Sequence, residues 1–164
     1  MQRFFAILLF LGLLGTPSVA YAATVGPSGN PLPRFISLAA DKAYMRTGPG
    51  LQYPVAWVYT RDNLPLEVID EHGAWRQVRD FEGVTGWMHV RLLSSKRTAM
   101  VTGGARRLFK DADSGSPIRL TADAGVIGEV LECVPDWCHM EIDGTRAWID
   151  RRYIWGVYAG ELID

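Results

Sequence analysis

Most of this 164-residue chain is written twice, and that limits what it can fold into more than any other feature. Displaced by 62 positions, LPLEVIDEHGAW (64–75) lies over VIGEVLECVPDW (126–137) without a gap. Glu67 then meets Glu129, Val68 meets Val130 and Trp75 meets Trp137. Upstream the displacement is 63, pairing Pro54 with Pro117; downstream it is 61, pairing Trp87 with Trp148, Arg91 with Arg152 and Leu93 with Ile154. Two single-residue steps in about 60 residues mark tandem copies of one small unit.

Each copy reads as short strands. In the first they are expected near Phe35–Ala40, Val55–Tyr59, Leu64–Asp70, Trp75–Asp80 and Val84–Val90. In the second they are expected near Met100–Thr102, Ile118–Thr121, Ile127–Cys133, Trp137–Ile142 and Thr145–Ile149. The segments TGPG (47–50), HG (72–73), EG (82–83), DSGSP (113–117) and DG (143–144) supply turns. No helical stripe runs through either copy. Short strands at this spacing predict an all-β chain of small barrels or sandwiches. A barrel so small is filled by its own side chains, so any activity must lie on its exterior.

The Asp-Gly at 143–144 fixes a register, because this dipeptide closes two-residue hairpins. Closing it pairs Ile142 with Thr145, Met140 with Ala147 and Cys138 with Ile149, an apolar face. The opposite face then holds Trp137, His139, Glu141, Arg146, Trp148 and Asp150. A one-residue slip would bury the three charged groups, which disfavours it. In the first copy Trp75 is likewise out of phase with Val78, and Trp87 with Met88. Each copy thus presents a Trp pair outside its apolar layer. Loops of the same copy, contact with the other copy, or a ligand are three ways to cover such a surface.

The ends and the composition bound the rest. Arg3, the apolar run FFAILLFLGLL (4–14) and Ala20-Tyr21-Ala22 read as a secretory signal peptide over 1–22, with cleavage between Ala22 and Ala23. The run is short of the roughly 20 residues that a membrane span needs, so no span is expected in the mature chain. Residues 23–34, rich in Gly and Pro, read as a flexible leader. With 16 basic and 18 acidic residues after cleavage, nothing calls for nucleic acid. Cys133 and Cys138 in an exported chain favour a disulfide, which the short loop makes worth roughly 2 kcal/mol. Two buried thiols, or a reactive Cys138 beside His139, are the alternatives. Neither a metal site nor a cofactor is expected: zinc needs four ligands, and the segment around Asp111 and Asp113 lacks a calcium loop's spaced ligands.

On these residues the chain resembles a known family. AYMRTGPGLQYPV (43–55) looks like the opening signature of bacterial SH3-like (SH3b) domains, and WRQV (75–78) and GWMHV (86–90) look like their later half. WCHMEIDGTRAWIDRRYIWGVY (137–158) is similar to the second copy of tandem, secreted members. The second copy departs at LFKDADSGSPI (108–118), which replaces the Arg-Thr-Gly-Pro-Gly stretch. The resemblance covers roughly residues 35–158 and implies two tandem five-stranded barrels, at 35–98 and 99–158, followed by a tail at 159–164. It implies binding modules, often exported and linked to cell-wall peptides, without chemistry of their own.

The expected function is accordingly a non-catalytic, periplasmic module binding peptides or peptidoglycan stems. Its groove candidates are Tyr44, Tyr53, Trp57 and Trp75, aromatics of the kind that flank furrows for extended peptides. Alternatively, Trp57 and Tyr59 pack against the second copy. Two other functions remain open: a protein that docks another envelope protein, and a hydrolase acting through Cys138. The join SSKRTAM (94–100) is short, which favours contact between the copies. Oligomeric state is not legible.

Overall fold

The structure, a computed structural model, describes residues 24–164; the signal-peptide reading lies outside the described residues. A short hairpin of β1 (Thr24–Val25) and β2 (Pro31–Leu32) comes first. The first repeat follows as β3 (Arg34–Leu38), β4 (Ala43–Arg46), β5 (Val55–Tyr59), β6 (Pro65–His72), β7 (Trp75–Arg79), β8 (Thr85–His89), a 3-10 turn over Val90–Leu92, and β9 (Leu93–Ser94). The second runs β10 (Thr98–Val101), β11 (Arg106–Phe109), β12 (Ile118–Ala122), β13 (Ile127–Cys133), β14 (Trp137–Ile142), β15 (Thr145–Asp150), a 3-10 turn over Arg151–Tyr153, and β16 (Ile154–Trp155). The described residues are nearly all β, as the sequence led us to expect, with one two-stranded sheet and two of seven strands.

The sheets are ordered β5-β4-β8-β7-β6-β3-β9 and β12-β11-β15-β14-β13-β10-β16, the same order position by position. Even the irregularities repeat. A register shift at Met45/Arg46 recurs at Leu108/Phe109, and one at Val68/Asp70 recurs at Val130/Glu132. Both steps in the displacement fall in loops, one between β5 and β6 against β12 and β13, the other between β7 and β8 against the β14–β15 turn. That turn closes on Asp143 (φ 48°) and Gly144 (φ 76°), the two positive φ values that a type I′ hairpin requires.

Within each repeat, one face of every long strand meets a single core, so the sheet curls round on itself. Ile36, Leu38, Ala43, Met45, Leu66, Val68, Val78 and Met88 form the first core. Ala99, Val101, Leu108, Val130, Met140, Ala147 and Ile149 form the second. Each sheet has seven strands where five were expected. The additional ones are the four-residue β4 and β11, hemmed by turn residues, and the two-residue β9 and β16.

The leader is not the flexible segment its composition predicted. Gly29 (φ 81°) closes the β1–β2 hairpin, and Leu32 is buried in the first core. The Ser28 N–H and hydroxyl both donate to Glu71 at 2.8 Å, and Arg34 reaches the same carboxylate at 2.7 Å. Glycine and proline marked a turn here, not disorder.

The repeats touch. Phe35 meets Trp155 edge-on (centroids 5.0 Å apart) and Tyr158 at 4.7 Å, while the Tyr158 hydroxyl donates to Glu67 at 3.0 Å. The Thr98 hydroxyl donates to the Asn63 carbonyl at 2.7 Å. After β16 the chain turns at Gly156 (φ 128°), where an added Cβ would lie 2.4 Å from the Thr98 carbonyl oxygen and 2.9 Å from the Ala99 Cα. Strained φ and rigid backbone combine there. Gly156→Ala should cost about 2 kcal/mol, read as a lower denaturation midpoint at unchanged m-value; an unchanged midpoint would show that the junction yields.

Candidate functional site

The strand ladders place a corresponding row of side chains on the outside of each barrel. In the first repeat β4 and β8 pair Arg46 with Trp87. Two residues on in that antiparallel register, Tyr44 comes beside His89, and His89 faces Trp75 across β8 and β7. In the second repeat β11 and β15 pair Phe109 with Trp148, which brings Arg107 beside Asp150, and Asp150 faces Trp137. The rows are therefore Tyr44–His89–Trp75 and Arg107–Asp150–Trp137. Their core-facing neighbours Met45, Val78 and Met88, and Leu108 and Met140, are completely buried, which fixes the outward aim of the row residues.

His89 and Asp150 share a second role. Each caps the 3-10 turn that follows, accepting from the N–H of Arg91 at 3.2 Å and of Arg152 at 2.9 Å. Asp150 is also gripped by the Arg152 guanidinium, at 2.6 Å for the closest contact. Hydrogen bonds from Arg152 hold its carboxyl below the ordinary aspartate value, against the upward push of burial.

In the second repeat the row opens into a cleft of about 750 Å³, floored by Phe109, Trp137 and Tyr153 and edged by Arg106, Arg107, Asp136 and Arg152. The Phe109 and Trp137 rings meet edge to face, 5.8 Å apart. The Arg106 guanidinium lies 4.0 Å above the centre of the Tyr153 ring and donates to the Thr102 and Gly103 carbonyls, both at 3.2 Å. The Arg107 side chain is exposed and has no ion-pair or hydrogen-bond partner among the described residues. Trp148 lies off this cleft, stacked on His139 with ring centres 4.9 Å apart.

The four groove candidates are not all in one row. Tyr44 and Trp75 share the outer face across His89, whose ring meets Trp75 edge-on at 5.3 Å. Tyr53 lies in the β4–β5 loop with its ring against Gly48, and Arg46 donates to the Tyr53 carbonyl at 2.7 Å. Trp57 pairs with Met45, out of phase with Tyr44, on the end strand β5, where it is 52% exposed. Tyr59 is buried in its own repeat's core and donates to Asp80 at 2.7 Å, so it does not join the copies. That contact is made by Phe35, Trp155 and Tyr158.

Arg106, Arg107, Phe109 and Tyr153 escaped the sequence reading, which followed aromatic residues in the first copy. The 63-residue displacement held the signal, since it lays Arg107 over Tyr44 and Phe109 over Arg46. Cys133 and Cys138 face each other across β13 and β14 and are joined in a disulfide. Both the buried-thiol and the reactive-thiol readings of this pair are thereby overturned. Among the described residues no His, Cys, Asp and Glu cluster could hold a metal ion, and no helix is long and apolar enough to cross a membrane.

Comparison with known proteins finds a match to a family described as bacterial SH3 domain over residues 39–95 and 105–156, well over half the chain. "Putative N-acetylmuramoyl-L-alanine amidase YrvJ" of Bacillus subtilis (strain 168) is 24% identical over 128 residues, 67% of this chain but 24% of that protein. The chain thus spans about a quarter of the length of that relative. Among solved structures, one titled "Structure of NlpC2 from Trichomonas vaginalis" aligns with 75% of this chain and 48% of its own, at 11% identity and a TM-score of 0.35.

Proposed function

The chain belongs to the bacterial SH3 domain family, and on that premise we propose that it is an exported, non-catalytic module that holds peptides of the cell wall in the outer-face clefts of its two barrels. The observation that carries this is the second-repeat cleft. Its floor of three aromatic rings suits the backbone and apolar side chains of an extended peptide, and its charged edge suits the peptide's ionised groups. The first repeat offers the corresponding face at Tyr44 and Trp75, with Tyr53 and Trp57 as exposed neighbours. The signal-peptide reading of residues 1–22 and the disulfide both fit a periplasmic site of action.

Cosedimentation with isolated cell-wall sacculi tests the proposal. The mature chain should sediment with them, and Trp137→Ala should weaken binding about 30-fold, the loss typical of a central aromatic anchor. Trp75→Ala tests the first face in the same way. A chain that stays in the supernatant, or a Trp137→Ala variant that sediments like the parent, would refute the proposal.

One observation favours a second reading. Leu51, Tyr53, Val55, Trp57 and Val58 are all exposed, and they cluster on the end strand β5 and the loop before it. Such an edge is also suited to docking another envelope protein. Stoichiometric capture of one protein, abolished by Trp57→Ala and without sacculus binding, would support that reading instead.

A further inference from the structure

We propose that the second-repeat cleft is selective for a free carboxylate, which it reads through Arg107, and that the first repeat's face is not; this rests on the peptide-binding reading above. The two rows share their Trp and differ at the other two positions, of which Asp150 in place of His89 is offset by the Arg152 ion pair. Where the first has the Tyr44 ring, the second has the Arg107 guanidinium.

The surroundings leave that guanidinium to a ligand. Arg152 is committed to Asp150 through contacts of 2.6–3.1 Å, which also neutralises the carboxylate nearest to Arg107 in the register. Arg106 is committed to Tyr153 and to the Thr102 and Gly103 carbonyls. Of the three guanidinium groups at the cleft, Arg107 alone is unengaged among the described residues, and three cations stand against the two anions Asp136 and Asp150. A guanidinium presents two parallel N–H groups that match the two oxygens of a carboxylate. The Phe109–Trp137 pair lies in the same cleft and offers the rest of the ligand an apolar footing.

In the first repeat Ala43 and Tyr44 stand where the second has Arg106 and Arg107, and of the three guanidinium positions only that of Arg152 keeps a cation, Arg91. Arg46 braces the β4–β5 loop through the Leu51 and Tyr53 carbonyls, and the Lys42 ammonium lies 5.6 Å from the centre of the Tyr44 ring. That face has an aromatic surface for stacking, and no counterpart of Arg107.

The test is calorimetric titration of the mature protein with a cell-wall stem tetrapeptide bearing free carboxylates, and with the same peptide fully amidated. The acidic peptide should bind about tenfold more tightly, the worth of one exposed charge-assisted contact. Arg107→Gln should abolish that preference and flatten the salt dependence. Arg107 is exposed, so the variant should fold; its denaturation curve checks this. Equal binding of the two peptides, absence of binding by both, or a preference that survives in Arg107→Gln would each overturn the inference. The sacculus assay separates the two ideas. If sacculi bind and the peptides show no charge preference, only carboxylate selectivity fails. If the acidic peptide binds selectively and sacculi do not, it is the cell-wall reading that fails.

Discussion

Replacing Arg151 by Met should cost about 3–5 kcal/mol of folding stability and loosen the wall of the second-repeat cleft. Arg151 is a buried cation that acts as a three-way clasp. Its guanidinium donates to the Val134 carbonyl at 2.6 Å, to the Glu161 carbonyl at 2.5 Å, and to that of Tyr158. Val134 belongs to the β13–β14 loop that leads through Asp136 into Trp137, whereas Tyr158 ends the second repeat and Glu161 lies in the C-terminal tail. The Arg151 N–H also donates to the Asp136 carbonyl at 2.9 Å. Burial favours loss of the charge and pulls the guanidinium pKa down, while Glu161 and Asp136 nearby push the other way. Methionine would fill much of the volume but leave three inward carbonyls without their donor. The tail is otherwise held by the backbone exchange between Ile163 and Cys133 and by the Arg97–Glu161 ion pair, at 2.8 Å. Faster hydrogen exchange at Ile163 should therefore accompany the lower denaturation midpoint. Arg152→Met is the control: its side chain is 78% exposed, so its ion pair with Asp150 should contribute little to stability. Equal stability of the two variants would show that the clasp contributes nothing.

This clasp illustrates what could and could not be read from the sequence. The duplication was legible because tandem copies keep their spacing, and the ladders reproduce the displacements of 63, 62 and 61 strand by strand. The β14–β15 register was legible because Asp143-Gly144 admits one turn geometry, and the pairs Cys138–Ile149, Met140–Ala147 and Ile142–Thr145 are those it demands. Alternation then put Trp137 and Trp148 outside the core. Long-range polar contacts carry no such periodic signal. Nothing in the neighbours of Arg151 distinguishes it from Arg152, yet the first is buried and the second exposed. Phe35, Trp155 and Tyr158 likewise read as ordinary aromatics until the fold brings them together between the repeats. The site was half legible for a related reason. Tyr44 and Trp75 declare themselves as aromatics in a polar strand pattern, whereas the importance of Arg107 depends on what the surrounding charges are doing.

The largest pH effect should come from Glu71, which latches the N-terminal hairpin to the first barrel. Its side chain is buried, accepts from the Ser28 N–H and hydroxyl and from Arg34, and forms an ion pair with Arg76 at 3.1 Å. Burial alone would raise its pKa. The hydrogen bonds from Ser28 and the hydrogen bond and charge of Arg34 outweigh that push and hold it at about 2, below the ordinary 4.5. A carboxyl depressed by folding binds its proton more tightly when unfolded. Its contribution is therefore complete above about pH 4.5, declines as the pH falls, and is spent below about pH 2. Glu71→Gln keeps the shape of the side chain and stands in for the protonated state at every pH. The stability gap between parent and variant should be about 3 kcal/mol at pH 7 and should close as the pH drops from 5 towards 2. All other carboxylates titrate alike in both proteins and cancel in the difference. The loss should be local first, with the Ser28 amide exchanging faster in the variant while Val68 and Met88, deep in the same barrel, remain protected. A gap that stays constant between pH 7 and pH 2 would mean that Glu71 acts through its shape and not its charge. A gap near zero at pH 7 would mean that the hairpin holds its place without the latch.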